Sequence, residues 1–358
     1  MVPVRYGMIG FGGIAENRIA KEGFGLDSKR FAPHPQAQLL GACDMNATRK
    51  SAAEALGIGW YPDSAALLAD TRIEAVLIAT NNRTHAPLAK EALLAGKHVF
   101  LEKPAGVTEA EIMELIGLAQ ERGLSLIVDH MMTKNSYNQL AREMILDNAI
   151  GKLEHLVLHM EFPFGIESVE ATTWRCADPS ELGGPLGDVG SHCLYMAEFL
   201  SDDNIDSLQC VYTPKHLSIA VEDGAIIHFT TRNGTNGTIR VAFDQPRGGL
   251  NSTLQNLGYE VYGSEGVITA RATMFQLSGH TDEPVGLVLE SIQGTYHQKH
   301  TLGQVQNIYQ SQIAEHAQSI RSGERLSGLQ ALHNLQLILL AHASARSGGR
   351  RLAIPKTI

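Results

Sequence analysis

The amino-acid sequence predicts an α/β domain with a doubly wound parallel sheet, followed by an α+β domain with a large, mostly antiparallel open sheet. Short apolar runs alternate with helical segments over the first 130 residues, which is typical of a parallel sheet covered by helices on both faces. After residue 130, long strand patterns follow one another with turn signals between them, which indicates antiparallel pairing. The length of 358 residues exceeds one typical core, so we expect two domains, 1–130 and 131–358.

The composition is that of an ordinary globular protein, with 44% apolar and 19% charged residues. The net charge of −9 argues against nucleic-acid binding, because contacts to phosphates need clustered Lys and Arg. Cysteines 43, 176, 193 and 210 are scattered without metal-ligand spacing, so we expect buried thiols in a reducing cytoplasm. Neither a signal peptide nor a membrane-spanning apolar run is present, so no membrane association is expected.

The first predicted strand, Val4–Ile9, ends in a turn that reads Gly-Phe-Gly-Gly-Ile-Ala over residues 10–15. Glycines at positions 10 and 12 permit a tight turn and let a pyrophosphate approach the backbone, while Ala15 lets the following helix pack closely on the strand. The N–H groups at the start of that helix would face the phosphates. A glycine-rich turn alone is weak evidence, but its place directly after the first strand strengthens it. The predicted dinucleotide-binding residues here are Gly10, Phe11, Gly12, Gly13, Ile14 and Ala15.

The second predicted strand, Gln38–Cys43, ends in Asp44. A carboxylate at this point would accept hydrogen bonds from the adenosine ribose and repel a 2′-phosphate. No arginine follows directly, so NAD is favoured over NADP as the cofactor. Residues 21–36 lengthen the usual gap before this position, and their glycines and prolines do not fit a regular helix throughout. A role as a helix cap or turn residue is the alternative for Asp44.

The alternation continues with helices at 47–56 and from residue 63, and with a strand at 75–79. Thr80, Asn81, Asn82 and His85 follow this strand and open the next helix, so they are predicted to face the cofactor. A capping asparagine and a solvated histidine are the structural alternatives.

The stretch 97–104 reads Lys-His-Val-Phe-Leu-Glu-Lys-Pro, and its apolar run Val99–Leu101 is typical of a buried parallel strand whose carboxyl end is polar. Ligands in open α/β sheets bind just outside such carboxyl ends. Glu102 and Lys103 are therefore predicted to stand beside a ligand, although a surface lysine after an ordinary strand is the alternative. A helix opened by the capping box Thr108-x-x-Glu111 and a strand at 124–128 complete the first domain.

The second half is predicted to begin with a helix at 137–146 and to end in a helical stretch at 308–345. The strands predicted between them are Leu153–Phe162, Ile205–Tyr212, Gly224–Thr231, Gly237–Asp244, Tyr259–Gly263 and Val267–Ala270.

A glycine-rich segment in this half leads to Asp188 and His192, which are four residues apart and would share one face in the first turns of a helix. A carboxylate beside an imidazole can hold its tautomer and raise its basicity, as a general base requires. Asp188 could instead be a helix N-terminal acid favoured by the macrodipole, and His192 a buried core residue. A metal site is not predicted, because no third ligand with recognisable spacing accompanies the pair.

Together these motifs resemble the Gfo/Idh/MocA family of NAD(P)-dependent sugar and polyol oxidoreductases. The residues that carry the resemblance extend over nearly the whole chain: Gly10-x-Gly12-x-x-Ala15, Asp44, Asn82-x-x-His85, Gly96-Lys97-His98-Val99, Glu102-Lys103-Pro104, Trp174-Arg175, Gly183-Gly184, Asp188-x-x-x-His192, Gly263-x-x-Gly266 and the Ser-Gly-Gly-Arg-Arg-Leu run at 347–352.

The resemblance implies a Rossmann domain and an enzyme that transfers a hydride between NAD and a secondary alcohol or ketone of a sugar, cyclitol or sugar derivative. Lys103 would hydrogen-bond the reacting oxygen, and His192, oriented by Asp188, would act as the acid/base. A cis peptide bond before Pro104 and a homodimer or homotetramer formed through the second domain are also implied. The expected substrate-binding residues are Lys103, Tyr137, Trp174, Arg175, Asp188 and His192.

Three positions depart from the family pattern: Asn81 replaces a usual proline, residues 133–137 replace an Arg-Phe-x-Pro motif, and Tyr195 stands where an aspartate is frequent. The last two make substrate analogy to any one member unsafe. Two further functions stay open: a glycoside-cleaving enzyme that uses bound NAD transiently for oxidation and elimination, and a non-catalytic dinucleotide-sensing regulator. The catalytic set Lys103, Asp188 and His192 disfavours the regulator, because a sensor needs no proton relay.

Overall fold

The computed structural model describes residues 2–244, 256–280, 283 and 286–355. The chain forms two compact units: the first comprises Met1–Met131 with Asn307–Leu335, and the second comprises Met132–Gln306 with Gln336–Ile358. The predicted domains are contiguous, whereas residues 307–335 pack with the N-terminal residues. Within the described ranges, no helix is long and apolar enough to cross a lipid bilayer.

The strands of the described residues are named in chain order. They are β1 (Val4–Ile9), β2 (Ala37–Cys43), β3 (Gly59–Trp60), β4 (Ala75–Ile78), β5 (His98–Leu101), β6 (Leu126–Val128), β7 (Leu153–Glu161), β8 (Ile205–Tyr212), β9 (Gly224–Thr231), β10 (Asn236–Ala242), β11 (Leu257–Gly263), β12 (Val267–Arg271), β13 (Val288–Gln293), β14 (Tyr296–His300) and β15 (Leu352–Ala353).

The helices are named in the same way. They are α1 (Lys50–Ala55), α2 (Ser64–Ala69), α3 (Asn82–Leu94), α4 (Glu109–Arg122), α5 (Ser136–Leu146), α6 (Ser168–Ala171), α7 (Trp174–Ala177), α8 (Gly184–Asp188), α9 (Gly190–Ser201), α10 (Ile308–Ser322) and α11 (Leu329–Arg346). The segment Ala15–Gly23 is a π-helix, and short 3₁₀ segments occur at Ala47–Arg49, Met131–Lys134 and Pro179–Glu181.

The sheet of the first unit is parallel throughout and has the strand order β3-β2-β1-β4-β5-β6. Its central strand β4 is buried at all four residues, as expected for a strand covered on both faces. The strand order reverses between β1 and β4, and ligands bind outside the carboxyl ends at such a switch point. The predicted doubly wound sheet is confirmed.

Helix α10 completes the first unit by packing beside this sheet. The Tyr6 hydroxyl is hydrogen-bonded to Nδ1 of His316 at 2.9 Å, and the hydroxyls of Ser125 and Ser319 lie 2.6 Å apart. Burial, together with the nearby His98, lowers the pKa of His316 to about 3, so its ring is neutral. The predicted helical stretch 308–345 is in fact two helices, because Gly323 and Gly328 adopt positive φ angles of 82° and 70° between them.

The sheet of the second unit has the order β14-β13-β12-β11-β7-β10-β9-β8-β15. Its described pairs are antiparallel except β7 with β10, so the predicted mostly antiparallel sheet is confirmed. The prediction missed β13, β14 and β15; β14 is exposed or half-exposed throughout and therefore lacks an apolar signal. Helix α9 packs on β7 and β10. All four cysteines are buried and unpaired.

Candidate active site

The glycine turn after β1 has the backbone form that the sequence predicts. Gly10 has a φ of +87°, and a Cβ there would lie 2.5 Å from the carbonyl oxygen of Ala79, so only glycine fits. At Gly12 and Gly13, in contrast, a Cβ would meet no atom within 4 Å. Packing within the unit therefore does not require these two glycines, and the open space beside them fits a pyrophosphate group close to the backbone.

The side chain of Asp44, directly after β2, is hydrogen-bonded to the backbone of this turn. One carboxylate oxygen accepts the N–H of Phe11 at 2.6 Å, and the other accepts the N–H of Asn46 at 2.8 Å. A carboxylate offers about four lone-pair positions, so these two bonds leave acceptor capacity for ribose hydroxyls. The turn role and the predicted ribose role are therefore compatible.

Arg49 is a residue near the turn that the sequence reasoning did not single out. Its Nε donates to the carbonyl oxygen of Phe11 at 2.7 Å, and its guanidinium pairs with the carboxylate of Glu16. Lys21 lies 2.8 Å from the same carboxylate, and the hydrogen bonds from Lys21 and then Arg49 hold the pKa of Glu16 below its usual range. The arginine charge is thus balanced within the protein.

His85 links the ends of β4 and β5. Its ring is buried, with Nδ1 2.7 Å from the carbonyl oxygen of Pro104 and Nε2 3.1 Å from that of Thr80. Asn82 is also buried, and the hydroxyls of Thr84 and Thr80 lie 2.8 Å apart. These bonds fix the loop at 80–85 against the strand ends. The predicted cofactor contacts of Thr80, Asn81, Asn82 and His85 stay predictions.

Lys103 stands at the carboxyl end of β5, as predicted, and is partly exposed. The Lys103–Pro104 peptide bond is cis, which confirms that expectation. The N–H of Glu102 donates to the carbonyl oxygen of Ile78 at 2.9 Å, so β4 still holds the backbone at this point. Glu102 and Lys103 thus follow directly from a strand that is buried between β4 and β6.

Asp129 is a residue at the same edge that the sequence reasoning missed. The parallel register of β5 and β6 pairs Leu101 with Val128, so the next residues, Glu102 and Asp129, lie side by side. Asp129 is completely buried, and neither carboxylate oxygen has a hydrogen-bond partner of acceptable geometry among the described residues. Burial and then the charge of Glu102 raise its pKa well above the usual range, although Lys103 opposes this shift. Its place directly after a strand, like that of Asp44, was the available signal.

In the second unit, glycines bring α7 and α8 close together. A Cβ on Gly183 would lie 2.2 Å from the carbonyl oxygen of Arg175. The Arg175 guanidinium consequently lies 3.5 Å from the Asp188 carboxylate and 4.2 Å from the centre of the Trp174 ring. Three of the predicted substrate-binding residues therefore form one cluster.

The prediction that Asp188 and His192 lie in one helix is wrong. Asp188 ends α8 and His192 lies in the first turn of α9, because Val189, with φ −105° and ψ −23°, interrupts the helix between them. The Nδ1 atom of His192 lies 2.7 Å from the hydroxyl of Tyr195, which also accepts the N–H of Met132 at 3.3 Å. Tyr195, noted above only as a departure from the family pattern, is therefore a direct partner of the histidine.

Tyr137, the remaining predicted substrate residue, lies in the first turn of α5 and is 6% exposed. Its N–H donates to the side chain of Asn135 at 3.0 Å, and its ring packs near Gly279. A substrate contact of Tyr137 stays a prediction. The predicted site residues are thus divided between the units, with the cofactor set and Lys103 in the first and Tyr137, Trp174, Arg175, Asp188 and His192 in the second.

Among the described residues, one group has the spacing of metal ligands: His216, Asp223 and Asp244, whose ligand atoms lie within 4.8 Å of one another. Nδ1 of His216 lies 2.5 Å from Asp244, and Asp223 accepts the backbone N–H groups of residues 216 and 217. These contacts explain the cluster as a hydrogen-bonded pair next to a turn, and we assign no metal to it.

Two family models match the chain. A model described as an oxidoreductase family with an NAD-binding Rossmann fold covers residues 4–130, and one described as the GFO/IDH/MocA C-terminal domain covers residues 138–269. The chain is also similar to 1,5-anhydro-D-fructose reductase of Ensifer adhaerens, with 27% identity over 225 residues, which are 62% of each protein. More than a third of that relative is therefore unmatched.

Two solved structures are similar in fold. A levoglucosan dehydrogenase in complex with NADH and L-sorbose matches with a TM-score of 0.82 at 19% identity, covering 100% of both chains. KijD10, a 3-ketoreductase from Actinomadura kijaniata in complex with TDP-benzene and NADP, matches with a TM-score of 0.77 at 20% identity, covering 96% of this chain and 98% of that one. One holds NADH and the other NADP, so the fold is compatible with either cofactor.

Proposed function

Because the chain belongs to the Gfo/Idh/MocA oxidoreductase family, we propose that it transfers a hydride between NAD and a secondary alcohol or ketone of a sugar, cyclitol or sugar derivative. The observation that carries the proposal is the place of Lys103. It stands at the carboxyl end of β5, on the same sheet edge as the glycine turn after β1. The names of two similar proteins, an anhydrofructose reductase and a levoglucosan dehydrogenase, support the substrate class.

The turn at 10–15 would hold the cofactor, which when bound supplies the hydride acceptor or donor. Gly12 and Gly13 leave room for the pyrophosphate, and Asp44 keeps acceptor positions for the ribose hydroxyls. A 2′-phosphate would meet the Asp44 carboxylate without a compensating arginine, because Glu16 already pairs with Arg49. These contacts support NAD rather than NADP.

In the proposed reaction the substrate carbon exchanges a hydride with the nicotinamide, and the substrate oxygen exchanges a proton with the protein. Lys103 would hydrogen-bond that oxygen and transfer the proton, with His192 as its partner in acid/base chemistry. The cluster of Trp174, Arg175 and Asp188, together with Tyr137, would bind neighbouring hydroxyls. Arg175 and Asp188 offer both donors and acceptors, which suits a polyol.

We further propose a cytoplasmic homodimer or homotetramer formed through the sheet of the second unit. The four cysteines are buried and unpaired, which fits a reducing compartment. Val211, Tyr262 and Ile292 expose 39%, 40% and 40% of their surface on strands of that sheet, and a subunit contact would cover this apolar area. Light scattering coupled to gel filtration tests this, and a monomer over the whole concentration range contradicts it.

The test of the reaction is a screen of sugars, keto-sugars and cyclitols with NAD and NADP, followed by the absorbance of the reduced cofactor. For the best substrate, we expect Lys103→Met to lower kcat by at least about 100-fold, the usual contribution of a proton-transfer group. Lys29→Met, at an exposed lysine of the same unit, is the matched control and should match the wild type.

Turnover by Lys103→Met at the wild-type rate, with NAD still bound, would rule out the assigned role of the lysine. Cleavage of a glycoside without net NADH formation would instead support the oxidation–elimination reaction.

A further inference from the structure

In the second unit, three groups form a short chain of hydrogen bonds that ends on His192. The Met132 N–H donates to the hydroxyl oxygen of Tyr195 at 3.3 Å, and this hydroxyl lies 2.7 Å from Nδ1 of His192. The side chains are nearly inaccessible, with 3% of His192 and 5% of Tyr195 exposed. Residues 192 and 195 are one turn apart on α9, which brings the two rings edge to face at a centroid distance of 5.5 Å.

The direction of the Met132 bond is fixed by its donor, whereas that of the bond between Tyr195 and His192 depends on the tautomer of the ring. A backbone N–H can only donate, so Met132 uses an acceptor position of the Tyr195 oxygen and leaves the hydroxyl proton for another partner. The distance of 2.7 Å between Tyr195 and His192 is typical of an O–H donor, whereas N–H donors are most often about 2.9–3.0 Å from their acceptors. The distance thus favours Nδ1 of His192 as the acceptor, and the tautomer of the ring is what the measurement below decides.

We propose that Tyr195 is a positioning residue that holds neutral His192 as the Nε2–H tautomer, so that the histidine presents a hydrogen-bond donor to the reacting oxygen. A carboxylate at Nδ1 would do the opposite, because it would accept the Nδ1 proton and leave Nε2 as a base. The inference rests on the proposed function for its chemical meaning, since His192 matters to the reaction only in a hydride-transferring enzyme.

The tautomer divides the chemistry between two residues, and it narrows the acid/base role proposed above for His192 to hydrogen-bond donation. In the reduction of a ketone, the hydride adds to the carbonyl carbon while the Lys103 ammonium gives its proton to the carbonyl oxygen and later regains one from solvent. His192 stabilises the same oxygen through its Nε2–H without losing that proton, since a neutral imidazole is a poor acid. In oxidation the flow is reversed, with neutral Lys103 accepting the hydroxyl proton. His192 is then a donor in both directions.

The test is the tautomer of His192 in the free protein, read from two-bond proton–nitrogen correlation spectra of protein with ¹⁵N-labelled histidine at a pH where the ring is neutral. His192→Asn identifies the signal by its loss. We expect the Nε2–H pattern in the wild type and a mixed or Nδ1–H pattern in Tyr195→Phe, which lacks the hydroxyl.

The chain provides a matched control in the same unit. The hydroxyl of Tyr212 lies 2.7 Å from Nδ1 of His342, so Tyr212→Phe should change the His342 signals and leave those of His192 unchanged. An Nδ1–H pattern for wild-type His192, or a His192 signal unaffected by Tyr195→Phe, overturns the inference. The wild-type spectrum decides the question even if the variant does not fold.

The kinetic counterpart is a fall of about tenfold in kcat for Tyr195→Phe with little change in KM, because the lost hydrogen bond acts mainly in the transition state. Unchanged kcat would show that the tautomer does not matter for the reaction. If no sugar alcohol or ketone reacts with the wild type, the proposed function fails while the spectra still decide the tautomer.

Discussion

Among single residues of the first unit, Asp129 has a completely buried carboxyl group, and neither of its oxygens has a hydrogen-bond partner of acceptable geometry in the described part of the chain. Burial and the adjacent Glu102 raise its pKa, so the folded protein holds a proton that the unfolded chain has released above pH about 4. The folded state then binds more protons than the unfolded state, and stability falls as the pH rises towards the raised pKa. Asp129→Asn should therefore become progressively more stable relative to the wild type as the pH rises above about 5, until the raised pKa of Asp129 is reached.

The expected difference in slope is about 1.4 kcal/mol per pH unit, the value for one proton. Urea unfolding at several pH values measures it, since any fixed cost of placing the amide in this site shifts the curve without changing its slope. Asp147→Asn, at an exposed aspartate, should run parallel to the wild type. Parallel curves for Asp129→Asn would mean that Asp129 is ionised in the folded protein.

Asp44 combines a structural and a selective role, and a suitable substitution separates them. Asp44→Asn removes the charge and keeps one oxygen for the N–H of Phe11, while its NH2 group replaces the oxygen that accepted the N–H of Asn46; the ratio of the two cofactor affinities cancels this common loss. We expect the ratio of NADP to NAD dissociation constants to fall by about tenfold, because the variant no longer repels a 2′-phosphate. Titration of the free protein with each cofactor measures this ratio. A ratio equal to that of the wild type would refute the ribose assignment.

Among the elements, α10 is held to the first unit by a few polar contacts that can be removed singly. The Arg321 guanidinium donates hydrogen bonds to both carboxylate oxygens of Glu74, at 2.8 and 3.0 Å, and lowers the pKa of Glu74 to about 2. Arg321→Met keeps much of the side-chain length but leaves the part-buried carboxylate without this partner. We expect a loss of about 1–3 kcal/mol in the free energy of unfolding.

A double-mutant cycle with Glu74→Gln isolates this pair. Glu74 also accepts from Arg5 at 3.0 Å, and Arg321 also donates to the carbonyl oxygens of Val2 and Pro3, so each single variant loses contacts outside the pair and only the cycle reports the pair itself. If the two losses in the free energy of unfolding are additive in the double variant, the two side chains do not interact directly.

How well an element was predicted from the sequence depends on how completely it is buried. The sequence of β4 and the run 99–101 in β5 are apolar throughout, β1 is interrupted only by Arg5 and Gly7, and the carboxyl ends of β1 and β5 placed Gly10 and Lys103 at one edge of the sheet. Polar or two-residue strands such as β14 and β15 gave no such signal. The parallel sheet of the first unit was therefore predicted from the alternation of apolar runs and helices, whereas the strands at the edge of the second sheet were not.

The arrangement of the polar residues in the candidate site was also only partly predictable from the sequence. The spacing of Asp188 and His192 suggested one helix, but a break at a single residue, Val189, ended it. His192 and Tyr195 are one turn apart on α9, but the backbone of Met132 that also bonds Tyr195 lies 60 residues before His192 and could not be inferred from local spacing. The complete burial of Asp129 beside Glu102 is a property of the packed structure that residue patterns do not encode.

At the scale of the whole molecule, the first unit is discontinuous in sequence, because residues 307–335 return to it after the second unit. Helix α10 supplies the partners of Tyr6, Ser125 and Glu74, and its own buried residues include Ile308, Tyr309, Ile313 and Ala317. Domains are stable by only about 5–15 kcal/mol, so the loss of this helix should remove most of that margin. We therefore expect residues 1–131 alone to lack a cooperative unfolding transition and to bind no NAD.

Joining residues 1–131 to 307–335 through a flexible linker should restore both properties, because it restores the buried face of α10. Urea unfolding followed by circular dichroism, together with NAD titration, compares the two fragments. The control is the joined fragment carrying Ile313→Glu, a substitution that places a charge at a position that is 1% exposed. This variant fragment should behave like residues 1–131 alone. Cooperative unfolding and NAD binding by residues 1–131 would show instead that the contiguous N-terminal segment is a complete domain and that α10 only packs against it.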